Sequence, residues 1–242
     1  MKILFLVLAA ALAATFDNLD LGVPGPCVQI VERRGYALGY SEEHEQPLWV
    51  QYRLTADEAT NAAVARTGRF LPDLAILTGS ALPGDYTRSG GDREHLAPAG
   101  DMRFDALAML ESFSMANMSL QLPAFNRGVW KRLEEHVRSS AVREGSLVVV
   151  SRLIFRTNTP PRVIGMSRVR VPDAFYRVLY LERDPPRMAG FVLPHEGSDA
   201  PLCTFAASVD AVEEATGLDF FSALPQEVQS KLESHVSYLL FP

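Results

Sequence analysis

Three stretches of the 242-residue chain crowd reactive side chains together. The first is Gly91-Asp92-Arg93-Glu94-His95-Leu96-Ala97-Pro98. The second begins at Ser114-Met115-Ala116-Asn117-Met118-Ser119 and resumes as Pro123-Ala124-Phe125-Asn126-Arg127-Gly128-Val129-Trp130; the third runs through Glu134 to Arg138. Neutral imidazole, with an ordinary pKa of ~6.5, accepts a proton near neutrality, which makes His95 a candidate general base. Guanidinium groups stabilise charge on oxyanions and match their geometry. Spacing alone leaves a blander reading open. A Glu–Arg pair four residues apart is commonly a solvated surface pair, and a histidine beside Asp and Arg in a loop is commonly a surface or packing residue.

The elements that must hold these groups can be read from periodicity. Asn126–Val142 reads as a helix in which Val129, Trp130, Leu133 and Val137 recur at three- and four-residue steps, forming one apolar stripe. Glu134 and Arg138 are one turn apart on another edge, and Asn126, eight residues earlier, falls roughly on that side. An amide, a carboxylate and a guanidinium can therefore line one edge while Trp130 and Leu133 are buried. Upstream, Cys27–Val31, Tyr36–Tyr40 and Leu48–Leu54 read as strands, and Thr55 with Glu58 as a capping box opening a helix to about Ala65. Residues 66–104 read as a long, glycine-containing loop, a kind of segment that tends to be functional. A helix is expected at Asp105–Phe113. Strands are expected at Ser146–Phe155, Ile164–Val171, Phe175–Leu181 and Met188–Leu193, and helices at Ser208–Thr216 and from Pro225. Without βαβ alternation, the class is α+β with a largely antiparallel sheet.

Composition limits the function. An apolar share of 48% is that of an ordinary globular protein, and a net charge of −6 argues against a protein that coats nucleic acid. It leaves room for an enzyme with a locally basic cleft. Lys2 followed by the apolar run Ile3–Ala14 reads as a secretory signal peptide or, uncleaved, a membrane anchor. The expected organisation is residues 1–14 as that segment, 15–26 as a linker and 27–242 as one domain, with the protein secreted, periplasmic or in the cell envelope. Cys27 and Cys203 either pair in an oxidising compartment or remain separate thiols.

The motifs carry a resemblance. Asp92-Arg93-Glu94-His95-Leu96-Ala97-Pro98 resembles the DRGH-x-A-P signature of the DNA/RNA non-specific endonucleases, and Asn126-Arg127-Gly128-Val129-Trp130 their N-x-G-x-W segment. Trp49–Leu54, Ser114–Met118, Val171–Phe175 and Thr216–Phe221 resemble further landmarks in the same order. The resemblance implies a ββα-metal (His-Me finger) fold with a central antiparallel sheet and flanking helices. It implies hydrolysis of DNA and RNA phosphodiesters without sequence preference, leaving 5′-phosphate ends. The implied cofactor is Mg²⁺, with Mn²⁺ able to replace it, and the assembly state stays open, a homodimer among the options. By position, the resemblance makes His95 the general base, Asn126 the metal ligand and Glu134 the carboxylate that orders water around the metal. It makes Arg66 and Arg138 phosphate-stabilising arginines, with Arg69 close enough in sequence to exchange with Arg66. Arg93, Arg69 and Arg127 are expected to contact substrate, and Asp92 to support the site. One departure stands out: Glu94 replaces the motif glycine. Either its carboxylate faces the substrate phosphate and repels it, or it points outward, or the glycine serves a backbone angle that a side chain resists. Glu94 and the acidic charge also motivate an alternative, a catalytically weakened homologue that binds nucleic acid or a protein partner. His44, in a charged turn, is expected to be solvated.

Overall fold

The computed structural model describes residues 17–66, 68–156, 158 and 160–236. The expected N-terminal segment 1–14 lies outside the described residues. Strands β1 (Gln29–Glu32), β2 (Ala37–Ser41) and β3 (Gln46–Thr55) precede the short pair β4 (Asp92–His95) and β5 (Met118–Gln121). Then follow β6 (Ser146–Ile154), β7 (Val163–Ile164), β8 (Val169–Arg170), β9 (Ala174–Leu181), β10 (Arg187–Pro194) and β11 (Ala206–Ala207). The helices are α1 (Ala56–Thr60), α2 (Ala106–Ser112), α3 (Pro123–Phe125), α4 (Lys131–Glu144), α5 (Val209–Thr216) and α6 (Gln226–Glu233).

Among the described residues, seven strands form one antiparallel sheet in the order β1-β2-β3-β6-β9-β10-β11. Side chains alternate across a strand, and β6 shows the consequence. Leu147 and Val149 join a core that includes Leu133, Val137 and Ala141 of α4. Val148 and Val150 join the opposite core with Val209, Val212, Phe220 and Phe221. The sheet is thus covered on both faces, and α4 is fixed to one of them by its apolar stripe, each fully buried large side chain contributing about 1.5–3 kcal/mol.

Most expected elements are present, with three differences. The Thr55–Glu58 capping box forms, but α1 ends at Thr60. Asn61 Oδ1 accepts the Ala63 amide at 2.8 Å, a local turn that competes with helix continuation. The stretch expected as one strand at 164–171 is instead the small β7–β8 hairpin. Within the long segment 66–104, β4 forms and pairs with β5. Cys27 and Cys203 are both free thiols.

Candidate active site

The site is built on β4, β5 and the helix that follows. The β4–β5 register sets His95 opposite Met118 and Glu94 opposite Ser119. Beyond β4 the chain is clamped by Asn117, which is fully buried. Its Oδ1 accepts the Ala97 amide at 2.9 Å and its Nδ2 donates to the carbonyls of Ala97 (3.0 Å) and Ser112 (2.8 Å). His95 ends β4, two residues before this clamp. Its ring is 1% exposed, with Phe113 edge-on at 4.7 Å and Phe70 at 5.5 Å, and its Nε2 has no hydrogen-bond partner. Burial, then the nearby Arg66 charge, push its pKa down to about 3. The imidazole is therefore neutral, the proton-accepting form, well below the usual histidine range.

The second half of the site sits on an irregular helix. Residues Asn126–Trp130 form a π turn between α3 and α4, in which the Lys131 amide donates to the Asn126 carbonyl. Its irregular point is Gly128, at φ −106° and ψ −111°. In a straight α-helix, eight residues overshoot two turns by about 80°. The wider π turn takes up an extra residue, which brings Asn126 back toward the side of Glu134 and Arg138. Asn126 Nδ2 donates to Asp92 Oδ2 at 3.2 Å, and Arg127 forms a two-point ion pair with the same carboxylate at 3.0 and 2.9 Å. Asp92 thus ties β4 to this turn.

These elements enclose a cavity of about 360 Å³ lined by Arg66, Glu94, His95, Asn126, Arg127, Lys131, Glu134 and Arg138, with Pro98–Gly100 at one wall. Of the residues expected to act, the structure brings Arg66, His95, Asn126, Arg127, Glu134 and Arg138 to this cavity. Arg69 does not line it, so of the two exchangeable arginines Arg66 is the one at the site. Arg93 also stays off the wall: its guanidinium stacks on Phe70 at 4.6 Å. Asp92 contributes through Asn126 and Arg127 rather than by facing the cavity.

Glu94 resolves its own alternatives. Its side chain lines the cavity together with Asn126 and Glu134. Its backbone is ordinary paired strand, absent from the positive-φ positions, so no glycine-specific angle is involved. Burial and then the Glu134 charge hold Glu94 above the usual carboxylate range; burial likewise raises Glu134, opposed first by Arg177. Arg177 was not foreseen. It is fully buried beneath α4, stacks on Trp130 at 4.5 Å, donates to Ser151 Oγ at 3.0 Å and lies 3.9 Å from Glu134 Oε1. Its only signal is an arginine inside the apolar run Ala174–Leu181. Asp101, also unforeseen, is fully buried and accepts from Arg138 Nη1 and the Tyr52 hydroxyl, both at 2.8 Å. Lys131, one turn before Glu134 and Glu135 on the same helix, also lines the cavity. His44 is not solvated: its side chain is 12% exposed and its ring lies 4.3 Å from Phe155. The charged turn around it misleads because Phe155 comes from a distant strand end.

The residues present suit a hard divalent cation, which takes oxygen ligands. The Asn126 amide nitrogen is engaged by Asp92, leaving its oxygen free to ligate. Glu134 Oε1 is buried without a hydrogen-bond partner. Outside the cavity, Asp210, Glu213 and Glu233 form a further carboxylate group on α5 and α6.

Comparison with known proteins agrees with this geometry. The family model for DNA/RNA non-specific endonuclease matches residues 15–227. Nuclease 1, mitochondrial, of Schizosaccharomyces pombe is 31% identical over 89% of this chain and 73% of that protein. Nuclease C1 of Cunninghamella echinulata var. echinulata is 33% identical over 85% and 88%, respectively, and human Endonuclease G, mitochondrial, 30% over 82% and 71%. The crystal structure of an EndoG/EndoGI complex matches with a TM-score of 0.80 at 30% identity, covering 87% of this chain and 92% of that one, which shows the α+β fold with its central antiparallel sheet. These findings also correct one expectation. Relatives named as mitochondrial nucleases overturn the secreted, periplasmic or cell-envelope location, and they lend no support to a secretory signal peptide in residues 1–14. That reading rested on Lys2 and the apolar run Ile3–Ala14. The match over most of the chain, together with these relatives, shows that the chain belongs to the DNA/RNA non-specific endonuclease family, whose members are metal-dependent nucleases.

Proposed function

We propose that this cavity hydrolyses phosphodiester bonds in DNA and RNA, with His95 as general base and a divalent cation, Mg²⁺ or in its place Mn²⁺, held by Asn126 while Glu134 orders the water around it. The observation that carries this reading is the buried, neutral and unpartnered Nε2 of His95 at the same cavity as Arg66, Arg138 and Glu134. His95 Nε2 takes the proton of the attacking water, whose oxygen bonds to phosphorus as the P–O3′ bond breaks, leaving a 5′-phosphate and a 3′-oxygen that takes up a proton from water to become a hydroxyl. Arg66, free of any ion-pair partner among the described residues, is available to the phosphate, where a guanidinium stabilises the growing negative charge. Arg138 is oriented by Asp101 and adds positive charge from the helix side. Arg127 and Lys131, both exposed at the rim, draw in the polyanion despite the net charge of −6. The cation supplies Lewis-acid stabilisation of phosphate and leaving oxygen when bound. These groups address phosphate rather than base edges, which supports cleavage without sequence preference. Kinship with mitochondrial nucleases supports a mitochondrial location.

Incubating supercoiled plasmid and a structured RNA with the protein, in Mg²⁺ and in EDTA, tests this reading. Nicking and RNA cleavage in Mg²⁺ alone, with 5′-phosphate ends, are expected. Nucleic-acid binding with no cleavage in any divalent cation would instead support the weakened homologue, the reading that Glu94 in the cavity favours.

A further inference from the structure

The family signature has glycine where this chain has Glu94, so whatever Glu94 does is an addition to the shared machinery. Its carboxylate does not lie on the surface. It enters the cavity from β4, beside the Asn126 amide and facing Glu134, which arrives from α4. Two carboxylates buried in one cavity repel each other and have lost much of their hydration, an arrangement that needs positive charge between or beside them. Of the nearby cations, Arg66 lacks an ion-pair partner among the described residues and offsets part of the Glu94 charge, while the others are committed elsewhere. Arg138 is paired with Asp101 at 2.8 Å, Arg127 with Asp92 at 2.9 Å and Lys131 with Glu135 at 3.7 Å. Arg177 lies 3.9 Å from Glu134 Oε1 and stacks on Trp130. Two buried polar atoms at this cavity also lack partners, Glu134 Oε1 and His95 Nε2. An oxygen-rich, electron-pair-rich gap is therefore left between β4 and α4.

We infer that Glu94 is an additional oxygen ligand to the divalent cation, so that the cation is gripped from both β4 and the helix by Glu94 and Asn126, with Glu134 alongside. Two charged carboxylates bind a hard dication more tightly than one amide can. The inference rests on the reading of this cavity as the cation site.

The test is Mn²⁺ binding to the full, nucleic-acid-free protein, followed by loss of the free-Mn²⁺ electron paramagnetic resonance signal, with competition by Mg²⁺. Wild type, Glu94→Gln, Glu94→Gly and Asn126→Ala are compared, each checked for cooperative thermal unfolding. Glu94→Gly restores the family residue on an ordinary strand backbone and so provides a second variant should Glu94→Gln fold poorly. Both Glu94 variants should bind Mn²⁺ at least about tenfold more weakly than wild type, the scale on which even outer-shell partners of a metal act. Unchanged or tighter Mn²⁺ binding in both variants would overturn the inference and leave Glu94 as a partner of Arg66. A wild-type protein whose Mn²⁺ binding is insensitive to Asn126→Ala as well would overturn the reading of the cavity itself, a result distinct from failure at Glu94 alone.

Discussion

Arg177 Nη2 lies 3.9 Å from Glu134 Oε1, with the arginine fully buried between the sheet and α4 and its guanidinium stacked on Trp130. A buried guanidinium and a buried carboxylate at this separation support each other's charge, and removing one strands the other. Arg177→Met should therefore destabilise the fold, by about 3–5 kcal/mol on the scale of broken buried pairs, and reduce turnover by loosening Glu134. Thermal denaturation and turnover measured on the same preparation check this. An unchanged melting temperature would mean that the pair with Glu134 contributes no net stability.

Asn126→Ala should raise the Mg²⁺ concentration that half-saturates activity by about tenfold or more while leaving folding intact. The measurement is a metal titration of plasmid cleavage. An unchanged titration curve would move the metal site away from Asn126.

His95 should stay neutral in the metal-free protein from pH 8 down to about 5, because burial and Arg66 hold its pKa to about 3. Nitrogen-15 shifts of the labelled imidazole report this directly. A titration midpoint near the ordinary ~6.5 would show that water reaches the ring.

Glu233 provides a pH-dependent stability outside the site. Burial first, then Glu213, Asp210 and Asp219, raise its pKa to about 7. A carboxylate raised in the folded state stabilises below its unfolded value and loses that stability as pH rises through its folded value, here from about 4.5 to 7. Glu233→Gln should therefore match wild type near pH 4 and melt about 2–4 °C higher at pH 8 for each kcal/mol recovered. A difference of the same size at both pH values would rule out ionisation as the cause.

How much of this was legible depended on how local each signal was. The placing of His95, Asn126, Glu134 and Arg138 at one cavity was legible because motifs resembling one family carry them and helical spacing puts the last three roughly on one side. β4 was not, since Asp92-Arg93-Glu94-His95 has no apolar alternation and its partner β5 lies more than twenty residues away. Helical spacing placed Asn126 only roughly, because a π turn leaves no clear mark in the sequence beyond Gly128. Arg177 and Asp101 act through contacts with elements far away in the chain, and such pairings are set by topology. The direction of Glu94 likewise required the strand register, as a one-residue slip would turn it away.

The most direct test of the account is single-turnover cleavage of supercoiled plasmid by His95→Ala at saturating Mg²⁺, near neutral pH. Loss of the proton acceptor should slow cleavage by at least about 10²-fold, with cooperative unfolding and nucleic-acid binding retained. Cleavage within a few-fold of wild type by a folded His95→Ala protein would contradict the assignment of His95 as the general base and the reading built on it.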